Sequence, residues 1–302
     1  MQLKAADDKQ RDIDALGALL TRPDAAGARP RIEDEIRTIH AGAKAEREAA
    51  YEIEFYCRDA RNFVTIHGLR LDVDGVVAQF DHLILDRLLQ IWVCESKSFA
   101  EGVAINEFGE WSAVLKGRRT PIPSPIEQNR RQIHVLDRAF ESGLVRTPRR
   151  IIRLKPSFMS IVLLSTRTSI DRPQRETEEL VSVVKADQLW TRIQRRFDEV
   201  PAWNLLRVVS ADTIEGIGQR LVALHAPFAF NWPAKFGLAT QAPPTPAHAA
   251  TGRTPAGPSG LNCASCKVPV SFAEVDYCRL HSERFSGAIY CMPCQAKVAS
   301  RM

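Results

Sequence analysis

VVAQFDHLILDRLLQIWVCESK, residues 76–97, is the stretch that decides the fold. Residues 76–85 and 90–97 are rich in β-branched and aromatic side chains and read as strands. Asp86 to Leu89 is a tight connection, so the two form an antiparallel hairpin. Asp81 and Glu95 interrupt otherwise apolar runs, VVAQF and LQIWVC. Side chains alternate along a strand, so Glu95 and Lys97 share one face and Ser96 takes the other. The hairpin can set Asp81 beside Glu95, with roughly 5 Å between Cβ atoms. Carboxylates that close repel unless a divalent cation sits between them. Lys97, further along the same face, could then orient a water. The alternative is an ion pair on a solvated sheet face, which the apolar neighbours disfavour.

Before the hairpin, residues 62–71 read as a third strand and residues 31–57 as a helix. Its stripe at steps of four and three is Ile32, Ile36, Ile39, Ala43, Glu46, Ala50, Ile53 and Cys57. Glu46 is the one charge on that face, and a lone buried carboxylate asks for a metal or a basic partner. The alternatives are a bend at Gly42 or a Glu46 tilted out to solvent. After the hairpin, Ser124-Pro125-Ile126-Glu127 is a helix start with an N-cap, a first-turn proline and a capping-box glutamate. That helix runs to about Phe140. Residues 160–165 read as a short buried strand, and Lys9–Leu20, Glu178–Phe197 and Asp212–Leu224 as helices. The expected class is a mixed α/β domain.

The 302 residues carry 41 Lys+Arg and 36 Asp+Glu, a formal charge of +5. With 45% apolar and 25% charged residues, whole-chain disorder is excluded. No run of 18 apolar residues suggests a membrane span, and the N-terminus has no signal-like apolar core, so the expectation is a cytoplasmic protein. The mild excess of positive charge is compatible with a phosphate-bearing partner. Arg118-Arg119, Arg130-Arg131 and Arg149-Arg150 cluster in the middle of the chain, with solvated surface as the alternative.

Residues 238–260, rich in Pro, Ala, Gly and Thr, read as a flexible tether. The expected organisation is an N-terminal helical segment (1–30), the main domain (31–237), the tether and a cysteine-rich tail (261–302). Five of the seven cysteines fall in that tail, whereas Cys57 and Cys94 stand alone as expected buried thiols. Cys263-x2-Cys266 and Cys291-x2-Cys294 are two knuckles with 24 residues between them, the spacing of a closed Cys₄ zinc site. Residues 271–278 read as a short helix, and 285–290 as a turn into a strand. Cys278 and His281 form a C-x2-H pair that could compete as ligands; the preferred reading packs Cys278 inside and exposes His281. The tail resembles the zinc ribbons of several DNA-processing proteins.

Asp81, thirteen residues and then Glu95-Ser96-Lys97 resemble the core of the PD-(D/E)XK nuclease superfamily. The surroundings are similar to its nuclease-related domain family, NERD. The likeness lies in Ala41-Gly42-Ala43-Lys44-Ala45-Glu46, Val64 to Arg70, Ala78 to Leu83, Glu95-Ser96-Lys97 and Pro123 to Asn129. It spans about residues 36–140, and more loosely reaches about 225. It implies a restriction-endonuclease-like mixed sheet flanked by helices and a nuclease that hydrolyses DNA, with RNA as an alternative substrate. It implies Mg²⁺ (or Mn²⁺) on Asp81, Glu95 and the Ser96 carbonyl, with Glu46 reaching it through a water. Lys97 would position the attacking water and Gln128 would support the site. Phe80 stands where the superfamily name has proline, as is ordinary in the family. Arg118, Arg119, Arg130 and Arg131 would contact flanking phosphates. The competing class is a non-catalytic nucleic-acid-binding or adaptor module on the same fold. The zinc tail could bind DNA or a protein partner.

Overall fold

The computed structural model describes residues 1–148, 154–174, 178–201, 204, 207–239 and, in the tail, 261–268, 270, 274–275, 278–279, 282–291, 294–295 and 298. Arg149, Arg150, His281, the tether from residue 240 and most of the helix expected at 271–278 lie outside them. The chain divides into two units, Met1–Thr240 and Gln241–Met302. The strands are β1 (Gln2–Lys4), β2 (Phe63–Val73), β3 (Val76–Asp86), β4 (Gln90–Lys97), β5 (Gly102–Ile105), β6 (Trp111–Leu115), β7 (Arg118–Ile122), β8 (Ser157–Leu164), β9 (Ser169–Asp171) and β10 (Val183–Lys185). The helices are α1 (Gln10–Leu20), α2 (Arg29–Cys57), α3 (Pro125–Glu141), α4 (Glu178–Val181), α5 (Leu189–Asp198), α6 (Ala211–Ala223), α7 (Trp232–Lys235) and, in the tail, α8 (Ser282–Phe285). Among the described residues, no helix is long and apolar enough to cross a membrane.

A carboxylate closes the β3–β4 hairpin. Asp86 Oδ1 accepts the N–H groups of Leu88 (2.8 Å) and Gln90 (3.1 Å), and Oδ2 accepts the Trp92 indole N–H (3.1 Å). Leu89 takes a positive φ of 57° to complete the turn. The hairpin sits in a six-stranded mixed sheet of order β1-β2-β3-β4-β8-β10. β2, β3 and β4 are antiparallel, whereas β1 on β2, β8 on β4 and β10 on β8 are parallel. Alternation sends Leu83, Leu85, Ile91 and Val93 toward α3 and α6, and Ile84, Trp92 and Cys94 toward α2 and α5. Each face thus has its own helical cover.

α3 begins as its sequence dictates: Pro125 occupies the first turn and the Ser124 hydroxyl accepts the Glu127 N–H. The helix expected over Glu178–Phe197 is instead interrupted. Val-Ser-Val-Val-Lys is β-branched and lies beside the free edge of β8, so Val183 to Lys185 pair with Val162 to Leu164 as β10. A second sheet, β7-β6-β5-β9, was not anticipated. Its strands are too short to carry a periodic signal. Their turn chemistry was present, because Asn106 Oδ1 accepts the N–H groups of Phe108 and Glu110, and Lys116 and Gly117 both have positive φ. Val103, Ile105 and Trp111 of this sheet pack with Ile126, Val162 and Leu164. It is therefore attached at the start of α3 and along β8.

α6 lies on β1 and β2 through a glycine. A Cβ on Gly218 would stand 2.5 Å from Leu3 Cδ1 and 2.8 Å from Val64 Cγ1, and Val64 is a stiff side chain in the sheet. Gly216 on the same helix meets nothing closer than the Arg220 guanidinium at 3.5 Å. Gly218→Ala should therefore destabilise by about 1–3 kcal/mol. Gly216→Ala should be neutral or stabilising by up to about 1 kcal/mol. Chemical denaturation of the two variants checks the contrast, and equal effects would contradict this packing.

Candidate catalytic site and the four-cysteine tail

Asp81 lies where β3 lets go of both neighbours. The β2–β3 register passes from His67↔His82 to Leu69↔Phe80 without a Gly68–Asp81 pair, and the β3–β4 register stops at His82↔Cys94. Gly68 has φ +63°, with Asp7 N and Ala6 Cα within 3.4 Å of where a Cβ would be, so a side chain there would be both strained and crowded. In place of a cross-strand pair with Glu95, Asp81 Oδ2 accepts both the backbone N–H and the hydroxyl of Ser96, each at 2.9 Å. Burial, and then the charges of Glu95 and Glu46, push the Asp81 carboxyl up to about 7 against those hydrogen bonds.

Glu95 is 2% exposed and completely engaged. Its Oε1 accepts from Lys97 Nζ and from the Gln128 amide, both at 2.6 Å, and its Oε2 accepts from the Gln132 amide at 2.9 Å. The Glu95–Lys97 ion pair considered above as a surface feature exists, but its carboxylate is buried. Glu46 is half-buried on the sheet-facing side of α2. Burial raises its carboxyl, opposed by Lys9, raised further by Glu95 and opposed again by Lys97. Glu46, Asp81, Glu95 and Lys97 therefore share one electrostatic neighbourhood, with Gln128 bonded into it.

Two residues of this site were missed. Gln132 lies one turn after Gln128, and that i,i+4 spacing was the available signal. Asn129 is fully buried between them, donating to the Val93 and Ile161 carbonyls at 3.2 and 2.8 Å, and so fastens α3 across β4 and β8. The arginines stand on the surface. Arg118 and Arg131 are exposed, Arg119 pairs with Asp171, and Arg130 pairs with Glu127.

On the other face of the sheet lies a buried polar chain that the sequence reading did not find. Glu54 Oε1 accepts from the Thr65 hydroxyl (2.5 Å) and from His67 Nε2 (3.0 Å). His67 Nδ1 lies 2.8 Å from His82 Nδ1. Burial first, and then the charge of His67, keeps His82 far below the usual imidazole range, so its ring is neutral. The two Nδ1 atoms share one hydrogen bond, whose donor is set by the tautomer each ring holds. Burial alone would raise Glu54, but its bonds from His67 and Thr65 prevail and hold it below the usual carboxylate range. A carboxyl depressed in the folded state stabilises above its unfolded pKa, and that contribution is lost as pH falls through the folded pKa. Glu54→Gln should thus lower the melting temperature at pH 7 and cost progressively less below about pH 4, as melting curves across pH would show.

In the tail, the sulfurs of Cys263, Cys266, Cys291 and Cys294 all lie within 4.8 Å of one another. A zinc about 2.3 Å from each of four thiolates sets tetrahedral sulfurs about 3.8 Å apart, which this cluster fits. Burial opposes the Cys263 thiolate, but the N–H groups of Cys266, Cys291 and Ser265 bring it below the ordinary thiol range. Cys278 is buried and engaged elsewhere: its sulfur accepts the N–H of Tyr290 and the Gln295 amide, both at 3.3 Å. The turn expected after residue 285 is present, with Gly287 at φ +73°, but residues 288–290 form no strand; the Ile289 carbonyl accepts the Ala264 N–H at 2.7 Å. Among the described residues, this is the one group of three or more His, Cys, Asp or Glu side chains whose ligand atoms approach so closely. The Glu46, Asp81 and Glu95 oxygens stand wider.

Residues 41–164 match the family model of the nuclease-related domain, NERD. This region is similar to the nuclease-related domain family. The match runs from the middle of α2 to the end of β8, so the matched region contains Glu46, Asp81, Glu95, Lys97, Gln128 and Gln132. No curated protein and no solved structure matches the chain.

Full-length protein isolated without chelator should carry one zinc per chain. Cys291→Ser or Cys294→Ser should abolish it in native mass spectrometry, whereas Cys278→Ser should retain it. Loss of zinc from the Cys278 variant alone would reassign the ligands.

Proposed function

We propose that the matched region is a divalent-cation-dependent nuclease acting on DNA, with the zinc tail as an accessory for nucleic-acid or protein binding. The observation that carries this reading is Glu95, a buried carboxylate gripped by an ammonium and two amides beside a second carboxylate and near a third. The set suits a hard cation, since carboxylate oxygens are the preferred ligands of Mg²⁺ and Mn²⁺. Asp81 and Glu95 would hold the ion, with the Ser96 carbonyl and Glu46 alongside. When bound, such an ion polarises a phosphodiester and acidifies a coordinated water.

The residues of the chain supply orientation and charge. Ser96 fixes Asp81 through Oδ2. Gln128 and Gln132 fix the rotamer of Glu95 from one helix. Lys97, a third exposed, has an ammonium that can serve both Glu95 and a phosphate oxygen. Arg118, Arg119, Arg130 and Arg131 are assigned to flanking phosphates, which gives affinity without base preference. A cytoplasmic location belongs to this reading and suits seven unpaired cysteines. The competing adaptor reading draws on the wider spacing of the three carboxylates, and a cleavage assay separates the two.

Purified protein with Mg²⁺ or Mn²⁺ should cleave DNA, and failure on every DNA and RNA form would leave the adaptor reading. Asp81→Asn removes one of three crowded negative charges. It should lower the cleavage rate by roughly two orders of magnitude or more with an unchanged or higher melting temperature. Gln132→Leu frees Glu95 Oε2 and should cost about 10- to 100-fold in rate. An active Asp81→Asn enzyme would dismiss the site.

A further inference from the structure

The outward face of α2 carries a second pattern. His40, Lys44, Arg47, Tyr51, Phe55 and Arg58 follow one another at steps of four and three, so they form a single stripe. All six are exposed, Tyr51 and Phe55 to 67% and 68%. The stripe is about 27 Å long at 1.5 Å per residue. Its cations are loosely held: Lys44 Nζ is 3.9 Å from Glu48 and Arg58 Nε is 4.0 Å from Glu54. Glu48 is drawn aside by the Ser165 hydroxyl at 2.8 Å. Lys44, Arg47 and Tyr51, together with Glu48 and Glu52, also border a depression of about 360 Å³ that reaches Thr166 and Ala186. The rings of Tyr51 and Phe55 are 6.5 Å apart and tilted by 40°. Phe55 meets Tyr56 edge-on, and Tyr56 stacks flat on Trp190 of α5 at 5.0 Å.

We propose that this basic and aromatic face of α2 binds a single nucleic-acid strand, with unpaired bases stacked on Tyr51 and Phe55 and phosphates on Lys44, Arg47 and Arg58. Charge complementarity selects that occupant. Every ring along the stripe has a cation within one turn, whereas the centre of a protein–protein interface is depleted of lysine. Ring faces turned to water serve any base, and the flanking cations serve any backbone, as in sequence-tolerant single-strand binding. Paired bases keep their faces within the stack, so duplex would gain only the charge contacts. The inference rests on the nuclease reading for its purpose: the opposite side of this helix carries Glu46, so a strand held on α2 lies about one helix diameter, roughly 10 Å, from that carboxylate.

The test is fluorescence anisotropy of the full chain in the Asp81→Asn background, with a short oligothymidylate and a duplex of the same length. Tyr51→Ala/Phe55→Ala should weaken oligothymidylate binding on the order of tenfold or more and duplex binding far less, at an unchanged melting temperature. Tyr51→Leu/Phe55→Leu should weaken it similarly, because leucine keeps apolar surface without a stacking face. Arg47→Gln and Arg58→Gln should each reduce the salt slope by roughly 0.7. Unchanged oligothymidylate affinity in the ring variants overturns the proposal. So does a wild-type dimer that these variants dissociate in sedimentation, since the rings would then serve a second copy of the chain. Cleavage with binding indifferent to the stripe removes this inference and keeps the nuclease; stripe-dependent binding by a wild-type protein that cleaves nothing does the reverse.

Discussion

A carboxylate buried in a sheet must be neutralised by fixed partners, and Glu95 imposes that constraint on everything around it. Desolvating such a group costs several kcal/mol, to order of magnitude, and that cost is offset only with good geometry. Three donors meet it: Lys97 from its own strand, and Gln128 and Gln132 from α3. The two amides must be one helical turn apart and at a set height above β4. Asn129 sets the height by bonding to carbonyls of β4 and β8. The Ser124 cap and Pro125 set where the helix begins. Local capping chemistry thus determines, through one helix, the orientation of a single carboxylate.

Asp81 obeys the opposite logic. It lies at a break in two ladders, opposite a glycine with positive φ, and accepts hydrogen bonds from Ser96 on one oxygen. Burial first, and then the charges of Glu95 and Glu46, push its carboxyl up. Nothing in folding benefits from this crowding. Burial and like charges that shift a carboxyl are commoner at binding and catalytic sites than elsewhere, and the function proposed above draws on that. The same pair of effects would be a defect if no cation ever relieved it.

The hairpin, the apolar stripe of α2 and the start of α3 were legible because each rests on a short-range rule: alternation, a period of 3.6, or a capping box. Asp81, Glu95 and Lys97 were legible together as charges on apolar strands of one hairpin, and Glu46 as a lone charge on an apolar helix stripe, whereas its place beside the other three was implied only by the family resemblance. Gln132 was not, because a polar residue on a helix reads as surface until its partner is known. The Glu54–Thr65–His67–His82 chain was hidden for the same reason: its members are distant in sequence and each alone looks like an ordinary polar residue. β10 was lost because α4 and α5 flank it closely, and the free edge of β8 that recruits it is a tertiary fact. The second sheet lacks periodicity, although the turn residues Asn106, Gly109 and Gly117 marked it.

α2 offers a control within one helix for the reading of the site. Glu46 and Glu54 lie about two turns apart, and both are drawn from water against the same sheet. Glu54 meets Thr65 and His67, which overcome its desolvation and hold it ionised. Glu46 meets Glu95 as well as Lys97 and Lys9, and burial prevails, so it is raised. The helix therefore presents one carboxylate whose partners are supplied by the protein and one whose surroundings remain unbalanced. Packing explains the first. The second is the unbalanced carboxyl on which the proposed cation site draws.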